Sequence, residues 1–418
     1  MRIAIVTPEF VTEINFDGGL ANYCYRLALS LKELGHEPVV FVSSEVSELI
    51  VLDGFEVHRV HIGRYDDWLF TNKYLCKAYS KIKPLLCKFL KLGEYEIIFN
   101  LKKQSKKLNN CIKEGNKLKK FDIIHYANIG GIGYYKPKDI PAIARISGAI
   151  SLWYTFGGYG ETANDVVRTE QLENRTLKKM DAIFGPCKPV SDYLEAKINK
   201  KIELIETIYI NNTKEGDTEI YDTYLFEKKY FLFFGTISQV KGTGTIAEII
   251  YDLLKKHPEY YFVLVGKNSH STNPSVTMLD VIKEQAKEYQ DRVIHINKIS
   301  HAKLFSILDH AQCVVLPSLI DNFPNTCIEA MAHGKIVIGT YNNGFDQLIE
   351  HQKSGYLIDA NAPVQLLNAI EDIIALDSLK KQQIEANAKI RIEKLAPQHI
   401  VPQLINFYTE AIAKHHKK

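Results

Sequence analysis

A chain of 418 residues, 46% apolar and 24% charged, is long enough for two or three domains with their own cores and too apolar to be largely disordered. A net charge of +3 gives no global argument for nucleic-acid binding, and no apolar run reaches the roughly 18 residues that span a bilayer. The seven cysteines are dispersed, odd in number and without a CxxC pair, which points to reduced thiols in a cytoplasmic protein rather than to a disulfide framework or a zinc site.

RIAIVTP opens the chain as a short buried strand, not as a charged region followed by a long apolar stretch, so no signal peptide is expected. A loop carrying FDGG follows and ends in Gly18 and Gly19. The helix from Leu20 to Leu34 aligns Tyr23, Cys24, Leu27 and Leu31 on one face, and Gly35 stops it before the strand PVVFV. Residues 64–120 then interrupt the alternation with fifteen Lys and Arg against five Asp and Glu, a net +10. Leu75, Tyr79, Ile82, Leu86 and Phe89 recur there at helical spacing among Lys73, Lys77, Lys81 and Lys88, with Pro84 as the kink. Such a segment either packs on its own domain with a solvated lysine face or makes a peripheral contact with an anionic membrane. FDIIHY, PAIARIS and DAIFGP continue the first set of strands. The polar stretch 211–224 marks a hinge, after which FLFFGT, YFVLVG, RVIHI, CVVLP and KIVIGT form a second set. Near-continuous apolar strands between helices imply parallel sheets covered on both faces, hence an α/β protein. There are too many strands for one sheet, so two Rossmann-like domains are expected, over 1–212 and 213–395, facing each other across a cleft.

Ligands of such sheets bind beyond the carboxyl ends of the strands. The informative loops therefore hold Gly18 and Gly19, then Asn128, Gly130 and Gly131, then Thr236 to Lys241, and finally SLIDNFPNTCIEAMAHG at 318–334. The last reads as a loop, a helix start, about three turns of helix and a glycine stop. The open N–H groups of that helix start favour a phosphate. On the alternative reading, Asp321 or Asn322 caps the helix and Glu329 lies on its solvated face. No GxGxxG opens the first helix, and Ser43 and Ser44 end the second strand where a dinucleotide site would have an acidic residue. There is no GxxxxGK[ST], HExxH, DxD, GxSxG or Cys/His cluster, so neither a P-loop, a dedicated metal site nor a nucleophile elbow is expected. What remains is an amide cradle, Lys241 and two carboxylates. A carboxylate repels phosphate but accepts two hydroxyls well, so Glu329 suits a vicinal diol. Phosphate together with diols describes a nucleotide sugar.

Four segments in order then resemble the family-4 glycosyltransferases, enzymes of the two-Rossmann GT-B fold: FDGGLANYCYRLALSLKELGHEPVVF, FFGTISQVKG, PSLIDNFPNTCIEAMAHGKIVIGT and NNGFDQLIEHQKSGYLID. The resemblance implies that Glu329 binds the donor ribose and Asp321 lies against the donor sugar. It places Asn322, Phe323, Asn325 and Thr326 along sugar and diphosphate, Lys241 on the departing diphosphate, and the amide of Gly19, beside Gly18, on the same phosphate. It further implies an acceptor-binding domain over 1–212 and a donor-binding domain over 213–395, with 396–418 returning to the first. Transfer would be retaining and without cofactor or metal, from a nucleotide sugar, a UDP-sugar first, to a saccharide or lipid-linked glycan, as in bacterial surface polysaccharide synthesis. Three positions depart from the pattern. Asp321 replaces a glutamate, Thr236 stands where an arginine would pair with Lys241, and only His125 is present where the family carries a histidine at the end of FDIIHYA. Arg145, at the end of PAIARIS, is the candidate for the missing charge. A nucleotide-sugar epimerase and a binding subunit with a decayed pocket are the competing readings.

Overall fold

The structure, a computed structural model, describes residues 1–13, 18–63, 92–157, 164–210, 217–271, 273 and 275–417. The stripe from Leu75 to Phe89, with its lysines and Pro84, lies outside them. The chain divides into two compact units, one of Met1–Ser151, Glu161–Ile208 and Pro397–Lys418, the other of Leu152–Gly160 and Tyr209–Ala396.

The first unit is built on eight strands: β1 (Arg2–Thr7), β2 (Glu37–Ser44), β3 (Glu48–Leu52), β4 (Phe55–His61), β5 (Ile123–Ala127), β6 (Ala142–Arg145), β7 (Ala182–Gly185) and β8 (Glu203–Leu204). Their order is β3-β4-β2-β1-β5-β6-β7-β8, with every pairing parallel except the β3–β4 hairpin. That hairpin, absent from the sequence reading, is closed by Asp53 and Gly54 at φ 45° and 76°, the left-handed pair of a tight Asp-Gly turn. Ile5 of β1 lies opposite Val40 on one side and His125 on the other, so β1 and β5 flank the point where strand order reverses.

Helix Leu92–Leu118 belongs to the basic segment. Ser105, Leu108, Asn109, Ile112 and Asn116 fall on one face and are buried. Asn109 donates to the Ile132 carbonyl at 2.9 Å and accepts from the Tyr126 hydroxyl, so the polar part of that face is satisfied. This part of the segment packs on its own unit. The last helix, Pro397–His416, also belongs to the first unit, where Tyr408 Oη lies 2.6 Å from His125 Nδ1 and His415 Nδ1 lies 3.0 Å from Asp181 Oδ2.

The second unit holds β9 (Lys229–Phe234), β10 (Tyr260–Val265), β11 (Val293–Ile296), β12 (Val314–Val315), β13 (Val337–Thr340) and β14 (Tyr356–Ile358). All are parallel, in the order β11-β10-β9-β12-β13-β14, so the reversal falls between β9 and β12. Both units are thus Rossmann-like, as expected from the apolar strands. Among the described residues no helix is long and apolar enough to cross a membrane.

Candidate functional site

The switch point of the second unit is closed by direct contact between the loops after β9 and β12. Leu319 N–H donates to the Val240 carbonyl at 2.8 Å. Gly242 sits at φ 71°, and a Cβ there would lie 1.7 Å from the Pro317 carbonyl oxygen, so only glycine lets the loops meet. From the turn Gln239–Lys241, Lys241 reaches across to Asp321, Nζ to Oδ2 at 2.5 Å. On the other side Gly344 packs on the backbone of Asn322, with its N–H on the Asp321 carbonyl at 3.1 Å. Segment 321–323 is therefore held between the β9 and β13 loops. Thr340 Oγ1, donating to the Ser318 carbonyl at 2.6 Å, fixes the same loop from below.

Helix Asn325–Ala332 follows directly. It is eight residues long, about two turns rather than the three expected, and starts after Pro324 with no side-chain cap. Neither Asp321 nor Asn322 caps it, because the Asp321 carboxylate is turned to Lys241. The first amides of the helix consequently lack the side-chain acceptor that helix starts ordinarily carry. A Cβ on Gly235 would stand 3.6 Å from Thr326 Cγ2, which places the helix start against the end of β9. Glu329 does not lie on a solvated face: it is 6% exposed, with Oε1 3.6 Å from His301 Nε2. His301 opens the helix His301–His310 and was missed in the sequence, where nothing distinguishes it from any other histidine at a helix start. Asn322 and Phe323 are buried, Asn325 and Thr326 half-buried, and Thr236 exposed. The fold thus gathers Lys241, Asp321, Glu329 and the 325 helix start at one switch point.

The first-unit candidates fall in two places. Gly18, at φ 93°, turns the chain into the helix Gly19–Glu33, which likewise begins without a side-chain cap. His125 is 1% exposed, enclosed by Tyr23, Phe184 and Tyr408. Burial, and next the nearby Arg145 cation, hold its imidazole neutral by lowering its pKa to about 3. Arg145 is buried beside it, its guanidinium 3.7 Å over the Tyr23 ring, donating to Thr207 at 2.9 Å and to Ser147 at 3.1 Å. Its charge is engaged inside the first unit. Among the described residues no group of three or more His, Cys, Asp and Glu is arranged to hold a metal ion.

Residues 222–390 match the family described as Glycosyl transferases group 1. Over 99% of both chains the sequence is 22% identical to an uncharacterized glycosyltransferase of Methanocaldococcus jannaschii, while other curated relatives match over about half of their length. The fold superposes on sucrose-phosphate synthase of Thermosynechococcus elongatus with a TM-score of 0.75 at 18% identity, covering 99% of each chain. It also superposes on Anabaena HepE, solved in complex with UDP-glucose, with a TM-score of 0.65 at 15% identity, covering 98% of this chain and 100% of that one. The unit that places Lys241, Asp321 and Glu329 at its switch point therefore carries the stretch that matches Glycosyl transferases group 1, in a chain with the two-Rossmann GT-B fold.

Proposed function

We propose that the protein transfers a sugar, with retention, from a nucleotide-sugar donor, a UDP-sugar, to a saccharide or lipid-linked glycan, as in the building of a bacterial surface polysaccharide. The observation that carries this reading is the Glu329 carboxylate, 6% exposed, one turn inside a helix whose start is uncapped at the β9/β12 switch point. A carboxylate accepts two hydroxyls well, and a ribose diol supplies them in fork geometry. The open amides of Asn325 and Thr326, with Asn322 and Phe323 before them, take sugar and phosphate oxygens. Lys241 stabilises the negative charge that grows on the diphosphate as the sugar–phosphate bond breaks. Asp321 orients the Lys241 ammonium and stands beside the donor sugar. The acceptor oxygen forms the new bond to the anomeric carbon, and its proton passes to the leaving phosphate oxygen, so no metal or other cofactor is required.

UDP-, GDP- and ADP-sugars at about 100 times their dissociation constant would each stabilise the protein by about 2.7 kcal/mol if bound, which a thermal-shift panel reads directly. Glu329→Gln should weaken binding of the active donor by about 1.5–3 kcal/mol, the worth of a charged hydrogen bond, while the fold persists. Unchanged donor affinity in the folded variant rejects the assignment. Slow donor hydrolysis without acceptor separates a transferase from a decayed binding subunit, and a changed sugar still attached to its nucleotide would identify an epimerase.

A further inference from the structure

The first unit contains a concavity lined by residues that the donor reading gives no role. A cavity of about 350 Å³ opens at the carboxyl ends of β2 and β4, at the lower end of the size range of small-molecule sites, roughly 300–1,000 Å³. Its polar wall comes from Glu13, Ser43, Ser44, Arg59, Asn100 and Gln104, and Ile62 and Leu101 add an apolar patch. Three of its sides come from regular elements, the ends of β2 and β4 and the helix Leu92–Leu118.

The Arg59 cation in this wall is bound by carboxylates. Glu13 accepts from Arg59 Nε at 2.8 Å and Nη2 at 3.1 Å, and Arg59 Nη1 donates to Glu48. Ser44 Oγ at 2.7 Å and Thr12 Oγ1 at 2.9 Å also donate to Glu13. Burial alone would raise the Glu13 pKa, but the hydrogen bonds from Arg59, Ser44 and Thr12 outweigh it and hold the carboxyl below its ordinary range. Both edges of the Arg59 fork are thus committed to carboxylates, and Glu45 adds another carboxylate to the lining. An anionic ligand would meet one engaged cation and two carboxylates.

The hydroxyls and amides carry the remaining chemistry. Gln104 Nε2 donates to Ser43 Oγ at 2.6 Å, which leaves the Ser43 hydroxyl hydrogen available. The Asn100 amide oxygen, closed off from solvent, has no hydrogen-bond partner among the described residues, so turning this amide toward the cavity sacrifices no bond at that oxygen. Hydroxyls and primary amides offer donors and acceptors together, and the Ile62–Leu101 patch suits the C–H face of a pyranose ring.

We infer that this cavity binds an uncharged saccharide ring of the acceptor and discriminates against phosphorylated or carboxylated rings. The inference rests on the glycosyltransferase reading for the word acceptor, but the binding itself needs no donor. The test is saturation-transfer NMR on the full chain without nucleotide, using glucose, galactose and N-acetylglucosamine against glucose 6-phosphate and glucuronate. At least one neutral sugar should give transfer and bind at least tenfold more tightly than the anionic rings. Asn100→Phe and Gln104→Phe, each filling the cavity, should abolish the transfer. Glu13→Gln, which releases Arg59 from its partner, should raise glucose 6-phosphate affinity at least fivefold relative to the neutral sugar. Anionic rings binding as well as neutral ones, no transfer from any neutral sugar, or transfer surviving both phenylalanine variants would each overturn the inference. If those variants do not fold, the wild-type panel and the Glu13→Gln shift still decide. A thermal-shift panel of UDP-, GDP- and ADP-sugars run in parallel separates the two readings. No shift from any of the three with neutral-sugar binding intact removes the transferase reading alone, and the converse removes the cavity.

Discussion

Replacing Glu173 with glutamine isolates the cost of a carboxylate buried behind the loop that follows β5. Glu173 is 4% exposed on the helix Asn164–Lys178, and its Oε1 accepts the Gly130 N–H at 2.7 Å. Burial pushes its pKa up from 4.5 to about 7, the Gly130 N–H opposing and the neighbouring Glu170 carboxylate reinforcing the shift. Between these values the unfolded chain has released a proton that the folded chain keeps. The unfolded state then binds fewer protons, so stability falls as pH rises through this window and the loss is complete above about pH 7. At about 1.36 kcal/mol per pH unit the interval amounts to about 3 kcal/mol. Glu173→Gln keeps the acceptor for Gly130 and never ionises. It should match the wild type at low pH and gain on it steadily from pH 5 to 8. With two units present, a single unfolding free energy is not well defined. Hydrogen–deuterium exchange in peptides covering Ile123–Gly131 reads the first unit by itself, and comparison at equal pH cancels the intrinsic exchange rate. Protection of the variant relative to wild type should grow by up to about 100-fold by pH 8. A ratio that does not change with pH, or protection that falls in the variant, refutes the reasoning.

His125 predicts the opposite slope: the unfolded imidazole protonates near 6.5 and the buried one only at about 3, so stability falls as pH drops through that window by about 1.4 kcal/mol per unit. Exchange in the same peptides should show His125→Asn losing less protection than wild type between pH 6.5 and 4, and equal losses would reject the buried neutral state. Gly242→Ala forces a methyl to within 1.7 Å of the Pro317 carbonyl at φ 71°, and should cost about 2–4 kcal/mol in the unfolding transition of the second unit. An unchanged transition would mean that the loops do not touch. Lys241→Ala should lower turnover by roughly 10²–10³-fold, and near-normal turnover would place the diphosphate elsewhere.

The strands were legible because each is an apolar run bounded by turn residues, and RIAIVT, YFLFF and YFVLV are buried along nearly their whole length. The β3–β4 hairpin escaped notice, although its Asp-Gly pair between alternating runs was a usable signal. In the candidate site, the residue types around 321–329 were readable but their environments were not. Whether Glu329 faces solvent or interior depends on what packs over a two-turn helix, which periodicity in eight residues cannot fix. The Lys241–Asp321 pair spans 80 positions, and His301 joins Glu329 only through tertiary packing, so local patterning predicts neither. His125 shows the same limit, since the sequence of its strand does not reveal that the Tyr408 hydroxyl, 283 positions away, lies against its imidazole.

The last helix has a consequence for how the molecule is made. His125 leaves the ribosome 283 residues ahead of Tyr408, and Asp181 leaves 234 residues ahead of His415. At roughly 5–20 residues per second the first interval lasts roughly 15–60 s. Throughout that time the N-terminal sheet lacks the covering supplied by Ile400, Val401, Leu404, Phe407 and Tyr408, whereas Tyr209–Ala396 emerges as one continuous stretch. Maturation therefore runs against the direction of translation: the half synthesised first is finished last. A premature stop within the codons for Pro397–His416 strikes the N-terminal unit, and the newly made chain exposes apolar sheet surface to chaperones until that helix has been made.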